Sequence, residues 1–197
     1  DFLEKNNIQI NELIDYSSAE ENEIFLEGTG SMVLDRLNKK AYCSISDRTN
    51  ENLVYEFCND FEYMPIIFNS FHDHKGKRKL IYHTNVMMCI ANDYCVICLD
   101  AIDNKEEMKK VIESLKDDHK EIITISEYQL EQFAGNMIEL RKDKNSFLFM
   151  SKSAYNSLDN SQLKKLNIYS ELVHSSVNTI EKCGGGSVRC MIAEIFN

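Results

Sequence analysis

The sequence has little of what marks domain boundaries, membrane segments or nucleic-acid binding. Pro65 is the only proline among 197 residues, and no Ser/Gly-rich linker or low-complexity tract interrupts the chain, so we expect one domain over residues 1–197. No apolar run approaches the ~20 residues that span a bilayer, and no basic-then-apolar leader opens the chain. The 22 Lys and Arg residues are outnumbered by 32 Asp and Glu, giving a net charge of −10. This charge argues against nucleic acid and membranes as partners, because a phosphate binder needs a basic face.

The cysteines indicate free thiols rather than a disulfide framework. There are seven, an odd number, so they cannot all pair within the chain. Cys89, Cys95 and Cys98 lie in apolar runs, where a free thiol packs as a small hydrophobe. We therefore expect a reducing compartment, the cytoplasm. Cys95-x-x-Cys98 is open to a metal or redox interpretation, but one such pair without a second pair or a nearby His favours a structural role.

Two further polar clusters have simpler interpretations. His72-x-His74 could bind a metal loosely, but the cationic sequence KGKRK follows at once, which favours solvated side chains. We expect the run GKRK at residues 76–79 to form a solvated turn.

A repeated pattern organises the chain. Four apolar segments recur, and the polar residues that open them are separated by 56, 53 and 54 positions: Glu27, His83, Asn136 and Cys190. A period of about 55 residues suits a ββαβ module. Within each module, the pattern of apolar residues and turns predicts a hairpin, a helix and a further strand.

The module boundaries can be placed along the sequence. Helices are predicted after Asn50 and over Asn104–Lys116, where Glu107 would complete a capping box. We expect strands that are apolar on both faces to be covered by helices. Residues 1–18, with IQINELIDYS, are predicted to be the helix end and last strand of a preceding module. From Gly184 the chain is predicted to enter the opening hairpin of another module, so it would hold about three and a half modules.

Modules that close around an axis would bring their opening polar residues together. Cys190 would then be a nucleophile, His83 its acid/base partner, and Glu27 the carboxylate that orients the imidazole. The glycines at 28, 30 and 184–186 suit a site where the backbone must approach a ligand closely. From periodicity alone, Cys190 could equally be a small buried residue and His83 a hydrogen-bonded core residue.

Five motifs carry a resemblance to a known superfamily. They are LEGTGSMVLDR (26–36), SDRT (46–49), YHTNVMMCI (82–90), QFAGNMIEL (132–140) and GGGSVRCM (184–191). In this order they resemble the guanidino-group modifying superfamily, and within it the arginine deiminase-related, citrulline-utilisation hydrolase branch. The resemblance implies an α/β fold, a pseudosymmetric propeller of five ββαβ modules with the active site on its axis. It also implies chemistry without metal or organic cofactor.

The resemblance implies a role for individual residues as well. Cys190 corresponds to the nucleophile, His83 to the acid/base and Glu27 to the carboxylate. Arg48 corresponds to the arginine that binds the substrate's α-carboxylate, and Asn136 to an amide lining the site.

Three further positions bear on the substrate. Arg189, beside the thiol in the last motif, is assigned to substrate binding. Asn85 and Gly30 stand where arginine deiminases carry acidic residues, and we expect Asn85 to contact the substrate.

The expected activity is hydrolysis at the ureido or guanidino carbon of a free amino acid, with citrulline favoured as substrate and ornithine as product. Arginine deiminase-type hydrolysis, amidino transfer and a non-catalytic amino-acid-binding role stay open as alternatives. By the count of modules, this chain is expected to be the C-terminal portion of the catalytic domain, with N-terminal modules absent. The oligomeric state is left open, a homo-oligomer included.

Overall fold

The computed structural model describes residues 2–10 and 12–195, which form a mixed α/β fold. The strands are β1 (Met32–Asp35), β2 (Lys40–Ser44), β3 (Met64–Phe68), β4 (Phe71–His74), β5 (Lys77–Leu80), β6 (Met88–Ile90), β7 (Tyr94–Ile97), β8 (Glu121–Thr124), β9 (Ile138–Lys142), β10 (Asn145–Ser151) and β11 (Glu171–Ser175). The α-helices are α1 (Phe2–Lys5), α2 (Gly28–Ser31), α3 (Glu51–Asp60), α4 (Thr84–Met87), α5 (Lys105–Asp117), α6 (Glu127–Glu131), α7 (Lys152–Ser157), α8 (Asn160–Tyr169) and α9 (Asn178–Gly184). Short 3₁₀ helices cover Ser17–Asn22, Leu99–Ala101 and Val188–Met191.

Three sheets of the same topology follow one another along the chain. They are β1-β2-β3, β6-β7-β8 and β9-β10-β11. In each sheet the first two strands are antiparallel and the last two are parallel. The parallel pair needs a crossover, and α3, α5 and the pair α7–α8 supply it. The described residues thus contain three ββαβ units and no closed barrel, so the closed propeller stays a prediction.

Helix caps explain where the crossover helices α3 and α5 begin. The side-chain oxygen of Asn50 accepts hydrogen bonds from the backbone N–H of Asn52 and Leu53 at the start of α3. Asn104 caps α5 in the same way. The predicted capping box at α5 is not formed, because the Glu107 carboxylate instead accepts a hydrogen bond from the backbone N–H of Asn69 at 2.6 Å. Glu107 therefore ties α5 to the segment that follows β3.

The core is centred on the second sheet. All four residues of β7 are fully buried, as predicted for a strand that is apolar on both faces. A buried ion pair joins this sheet to the first one, with the Lys120 Nζ 2.9 Å from an Asp35 carboxylate oxygen. Lys120 also donates to the backbone carbonyls of Ala91 and Asn92, so its ammonium group is fully paired inside the protein.

The third sheet is held against the second by a close backbone contact. A Cβ atom at Gly135 would lie 2.4 Å from the carbonyl oxygen of Val86 and 2.6 Å from the carbonyl carbon of Met87. Only glycine lets the chain entering β9 pass this close to α4.

Three local predictions are wrong. Residues 8–10 and 12–16, in the segment IQINELIDYS, form no strand, since the described residues before them offer no strand for pairing; Asn11 lies outside the described residues. The predicted turn over GKRK (76–79) is wrong for residues 77–79, which belong to the exposed strand β5 paired with β4, because the hairpin turn is made at Gly76 with φ +76°. Up to residue 195 no hairpin follows Gly184; the 3₁₀ helix Val188–Met191 takes its place.

No helix in the described part of the chain is long and apolar enough to cross a bilayer.

Candidate active site

Glu27 and His83 lie next to each other, at the start of the first two ββαβ units. Glu27 is the residue preceding α2, and His83 is the residue preceding α4. Both short helices lead directly into the first strand of a sheet, so the two residues occupy equivalent places in two units. The residues that open the first two apolar segments thus lie about one helical turn before the strands themselves. The imidazole Nε2 of His83 lies 2.7 Å from a carboxylate oxygen of Glu27.

Buried hydroxyl groups fix the two short helices relative to each other. The Thr84 hydroxyl donates to the carbonyl of Ser31 at 2.6 Å and accepts from the backbone N–H of Ser44 at 2.8 Å. The Ser31 hydroxyl donates to the carbonyl of Arg48 at 2.6 Å and accepts from the N–H of Glu27 at 3.0 Å. Because these groups are buried and satisfied, they hold the carboxylate and the imidazole in register.

The imidazole of His83 is packed as well as hydrogen-bonded. A Cβ atom at Gly30 would lie 2.9 Å from the imidazole Nδ1, so glycine leaves the space that the ring fills. Burial lowers the pKa of His83 below its ordinary value, while the hydrogen bond and negative charge of Glu27 act in the opposite direction, and the Arg48 charge lowers it again. His83 is thus a neutral base at neutral pH with a partner that stabilises its charged form.

Cys190 lies on the 3₁₀ helix Val188–Met191, where two buried amides contact its sulfur. The Nδ2 of Asn136 lies 3.2 Å from the Sγ and donates as well to the carbonyl of Asn85 at 3.0 Å. That carbonyl fixes which end of the Asn136 amide faces the sulfur. The Nδ2 of Asn85 lies 3.7 Å from the same sulfur. Cys190 itself is exposed, so its thiol is both oriented and accessible.

Arg48 lies next to the carboxylate–imidazole pair. Its guanidinium is 3.6 Å from the carboxylate of Glu27 and stacks over the ring of Tyr82, 5.1 Å from the ring centroid. About half of the Arg48 side chain is exposed, 52%. The guanidinium can therefore take an anionic ligand from solvent.

The structure places six of the seven predicted site residues in two groups: Glu27, Arg48 and His83 contact one another, and Asn85, Asn136 and Cys190 contact one another. The side chain of Arg189 instead donates to the carbonyl of Ile192 and faces the Glu194 carboxylate at 4.0 Å, because residues 192–194 turn back beside it. Among the described residues, no hydrogen bond joins His83 to Cys190.

Tyr82 is the residue of this region that sequence reasoning missed. Its ring centroid lies 5.0 Å from that of His83, and its hydroxyl donates to the carbonyl of Gly185. The signal was available, since Tyr82 opens the motif that contains the histidine.

The other predicted clusters lie elsewhere. Cys95 and Cys98 are fully buried in the core. His72 and His74 lie on β4 with ring centroids 6.4 Å apart. In residues 2–10 and 12–195, no group of three or more His, Cys, Asp and Glu side chains is arranged to hold a metal ion.

Comparison with solved structures shows the fold. The chain is similar to ArgZ, an arginine dihydrolase from the ornithine-ammonia cycle in cyanobacteria, with a TM-score of 0.69 and 14% identity over 98% of this chain and 28% of ArgZ. The N-terminal domain of ArgZ bound to substrate matches with a TM-score of 0.67 and 17% identity, over 95% of this chain and 60% of that domain's chain. SxtG, an amidinotransferase from Microseira wollei, matches with a TM-score of 0.52 and 14% identity, over 82% of this chain and 42% of SxtG. The chain thus spans less than two thirds of each of these proteins.

The family follows from a different comparison. No curated protein matches the chain. The family model for eukaryotic N,N dimethylarginine dimethylhydrolase matches residues 1–197, which is the whole chain. The predicted membership of the guanidino-modifying superfamily is confirmed by this match together with the similar solved structures. The chain belongs to the eukaryotic N,N-dimethylarginine dimethylhydrolase family.

Proposed function

We propose that this chain carries the catalytic residues of a hydrolase that attacks the ureido or guanidino carbon of a free amino acid, with citrulline as the substrate. The observation that carries the proposal is the site itself. An accessible thiol held by two amides lies in the same region as an imidazole that is 2.7 Å from a carboxylate. A nucleophile, an acid/base and a residue orienting that base are the parts that covalent hydrolysis requires.

The reaction uses each residue in turn. His83, neutral at the start, takes up the proton that the Cys190 thiol releases, and the thiolate attacks the ureido carbon to form a tetrahedral adduct. His83 gives a proton to the departing δ-nitrogen, ornithine leaves, and the carbamoyl group remains on sulfur. His83 then takes a proton from water, which hydrolyses the carbamoyl thioester. The resulting carbamate breaks down to ammonia and carbon dioxide. Glu27 orients the imidazole and stabilises its charged form.

Arg48 supports binding of the amino-acid end of the substrate. A guanidinium can hold an α-carboxylate through two parallel hydrogen bonds, which fixes the distance to the reacting carbon. Glu27 faces Arg48 at 3.6 Å and limits the positions its side chain can take.

The residues around the sulfur favour a neutral substrate. A guanidinium costs several kcal/mol to desolvate unless anions pair with it. The carboxylate of Glu27 already faces His83 and Arg48. Asn85 and Gly30 stand where a deiminase would place acids, and an amide can both donate to a ureido oxygen and accept from a ureido nitrogen.

A second candidate substrate comes from the family. Its described activity is on N,N-dimethylarginine, and ArgZ acts on arginine. Both substrates have a guanidinium, and the same thiol and imidazole could attack either.

Product analysis separates the candidates. The complete protein is incubated separately with citrulline, arginine and N,N-dimethylarginine, and amino-acid and amine products are measured by mass spectrometry. We expect ornithine from citrulline at the highest kcat/KM. A higher kcat/KM with either guanidinium compound would overturn the substrate, and no product from any of them, with an intact Cys190, would favour the amino-acid-binding alternative.

A further inference from the structure

Tyr82 contacts three separate segments of the site. Its hydroxyl donates to the carbonyl of Gly185. Gly185 belongs to residues 184–186, the glycine loop, which precede the proposed nucleophile Cys190. The guanidinium of Arg48 stacks on the ring of Tyr82 at 5.1 Å, and the imidazole of His83 packs against it at 5.0 Å. The Tyr82 side chain therefore lies between the substrate-binding arginine, the acid/base and the loop bearing the thiol.

The backbone of Tyr82 makes a fourth connection. Its carbonyl accepts a hydrogen bond from the Ser46 hydroxyl at 2.7 Å, and that hydroxyl accepts from the backbone N–H of Arg48 at 3.1 Å. The loop that carries Arg48 is thus tied to Tyr82 by its main chain and by its side chain.

The contact with the glycine loop bears directly on the nucleophile. A Cβ atom at Gly186 would lie 3.1 Å from the Cys190 sulfur, so the loop is packed tightly against the thiol. A shift of the loop would move the sulfur relative to Asn136. Burial raises the pKa of Tyr82, and the neighbouring Cys190 raises it further, while the charge of Arg48 acts in the opposite direction. The phenol therefore keeps the proton that it donates to the carbonyl of Gly185.

We propose that Tyr82 is a positioning residue with two separable roles: its hydroxyl holds the glycine loop and thereby the Cys190 thiol, and its ring holds Arg48 for the substrate's α-carboxylate. This inference rests on the proposed function. The hydroxyl acts on the reacting sulfur and so contributes to kcat. The ring acts on the binding arginine and so contributes to KM.

Two variants of the complete protein separate the roles. Tyr82→Phe keeps the ring and removes the hydroxyl. We expect kcat for citrulline to fall about fivefold with KM unchanged, because one hydrogen bond is lost. Tyr82→Leu also removes the ring, so KM should rise about threefold or more in addition. Tyr169→Phe is the matched control, since it loses a phenol hydrogen bond to Glu121 on the outside of the second sheet.

A measurement without turnover keeps this proposal separate from the proposed function. Hydrogen–deuterium exchange of a peptide covering residues 184–190 should be about fivefold faster in Tyr82→Phe than in the wild type, and unchanged in Tyr169→Phe. Faster exchange with no activity in the wild type would support the anchoring of the loop while rejecting the proposed reaction. Unchanged exchange, or equal effects of Tyr82→Phe on kcat and KM, would overturn the role of Tyr82.

Discussion

Cys190 differs from the other cysteines in its surroundings. Of the free cysteines in the described residues, Cys183 and Cys190 are exposed, and the remaining ones are buried. Burial raises the pKa of Cys89 and Cys98 to about 12, which leaves them as thiols at any physiological pH. Asn136 and Asn85 contact the sulfur of Cys190. Cys190 is therefore the cysteine that we propose as the nucleophile.

Replacement of Cys190 tests that placement. We expect Cys190→Ser to lose at least ~10³-fold in kcat, because a serine hydroxyl is far less ionised than a thiol at neutral pH. Cys183→Ser, at the other exposed cysteine, should keep the wild-type rate, and Cys98→Ala should change only the free energy of unfolding. Steady-state assays of the three variants check this, and normal turnover by Cys190→Ser would disprove the mechanism.

The protonation of His83 gives a second test. Burial lowers its pKa, so as the pH falls below about 6.5 the unfolded chain takes up the proton first. The free energy of unfolding therefore decreases with falling pH until the folded imidazole is protonated too. Glu27→Gln removes the charge that raises this pKa, so the NMR titration midpoint of His83 should move to lower pH. His83→Gln assigns the resonance, and a midpoint that moves upward would contradict the contact at 2.7 Å.

A variant at Asn85 tests the proposed preference for a neutral substrate. Asn85→Asp places a carboxylate beside Cys190, at a position 4% exposed. We expect kcat/KM for citrulline to fall and binding of arginine to improve by ~1–3 kcal/mol if the ion pair is desolvated. Asn92→Asp, in the turn between β6 and β7, introduces the same charge away from the site and serves as control. Weaker arginine binding by Asn85→Asp would count against the substrate argument.

At the scale of elements, glycine positions control how units pack. Gly135→Ala would put a Cβ atom 2.4 Å from the carbonyl oxygen of Val86, a clash with backbone that no rotamer change relieves. We expect a loss of about 3 kcal/mol in the free energy of unfolding, measured by urea denaturation. Gly184→Ala meets only the Cγ2 of Ile180 at 3.8 Å, so its stability should stay near that of the wild type. Equal stability of the two variants would show that the close approach is not needed.

The elements that sequence predicted correctly are those fixed by local signals. Asn50 and Asn104 each precede an amphipathic run, and both cap a helix where predicted. The period of about 55 residues placed Glu27 and His83 at equivalent positions, and the structure pairs them. Prediction failed where a segment depends on contacts from outside itself. Lys77–Leu80 becomes a strand through pairing with β4.

At the scale of the whole molecule, one buried ion pair connects the first two sheets. Lys120 and Asp35 are 5% and 2% exposed, and their charged groups are 2.9 Å apart. Lys120→Met leaves the Asp35 charge without its partner inside the protein. We expect a loss of about 3–5 kcal/mol in the free energy of unfolding, measured by urea denaturation.

The double variant provides the control for that measurement. Lys120→Met with Asp35→Leu removes both charges and should recover most of the lost stability. Lys109→Met breaks the exposed pair with Glu113 and should cost less than 1 kcal/mol, since surface ion pairs are weak. A double variant as unstable as Lys120→Met would show that the lost packing, and not the unpaired charge, is responsible.

The distances along the chain between the site residues have a consequence for how activity is acquired. Glu27 and His83 are 56 positions apart, Asn136 and Cys190 are 54 apart, and Asn85 and Cys190 are 105 apart. The strands of each sheet, by contrast, join segments that are close in sequence, and such local pairings form sooner because closing a short loop costs less entropy. The site therefore assembles only after the separate units have docked. We therefore expect a refolding chain to regain its sheets before Cys190, the proposed nucleophile, reaches Asn85 and Asn136.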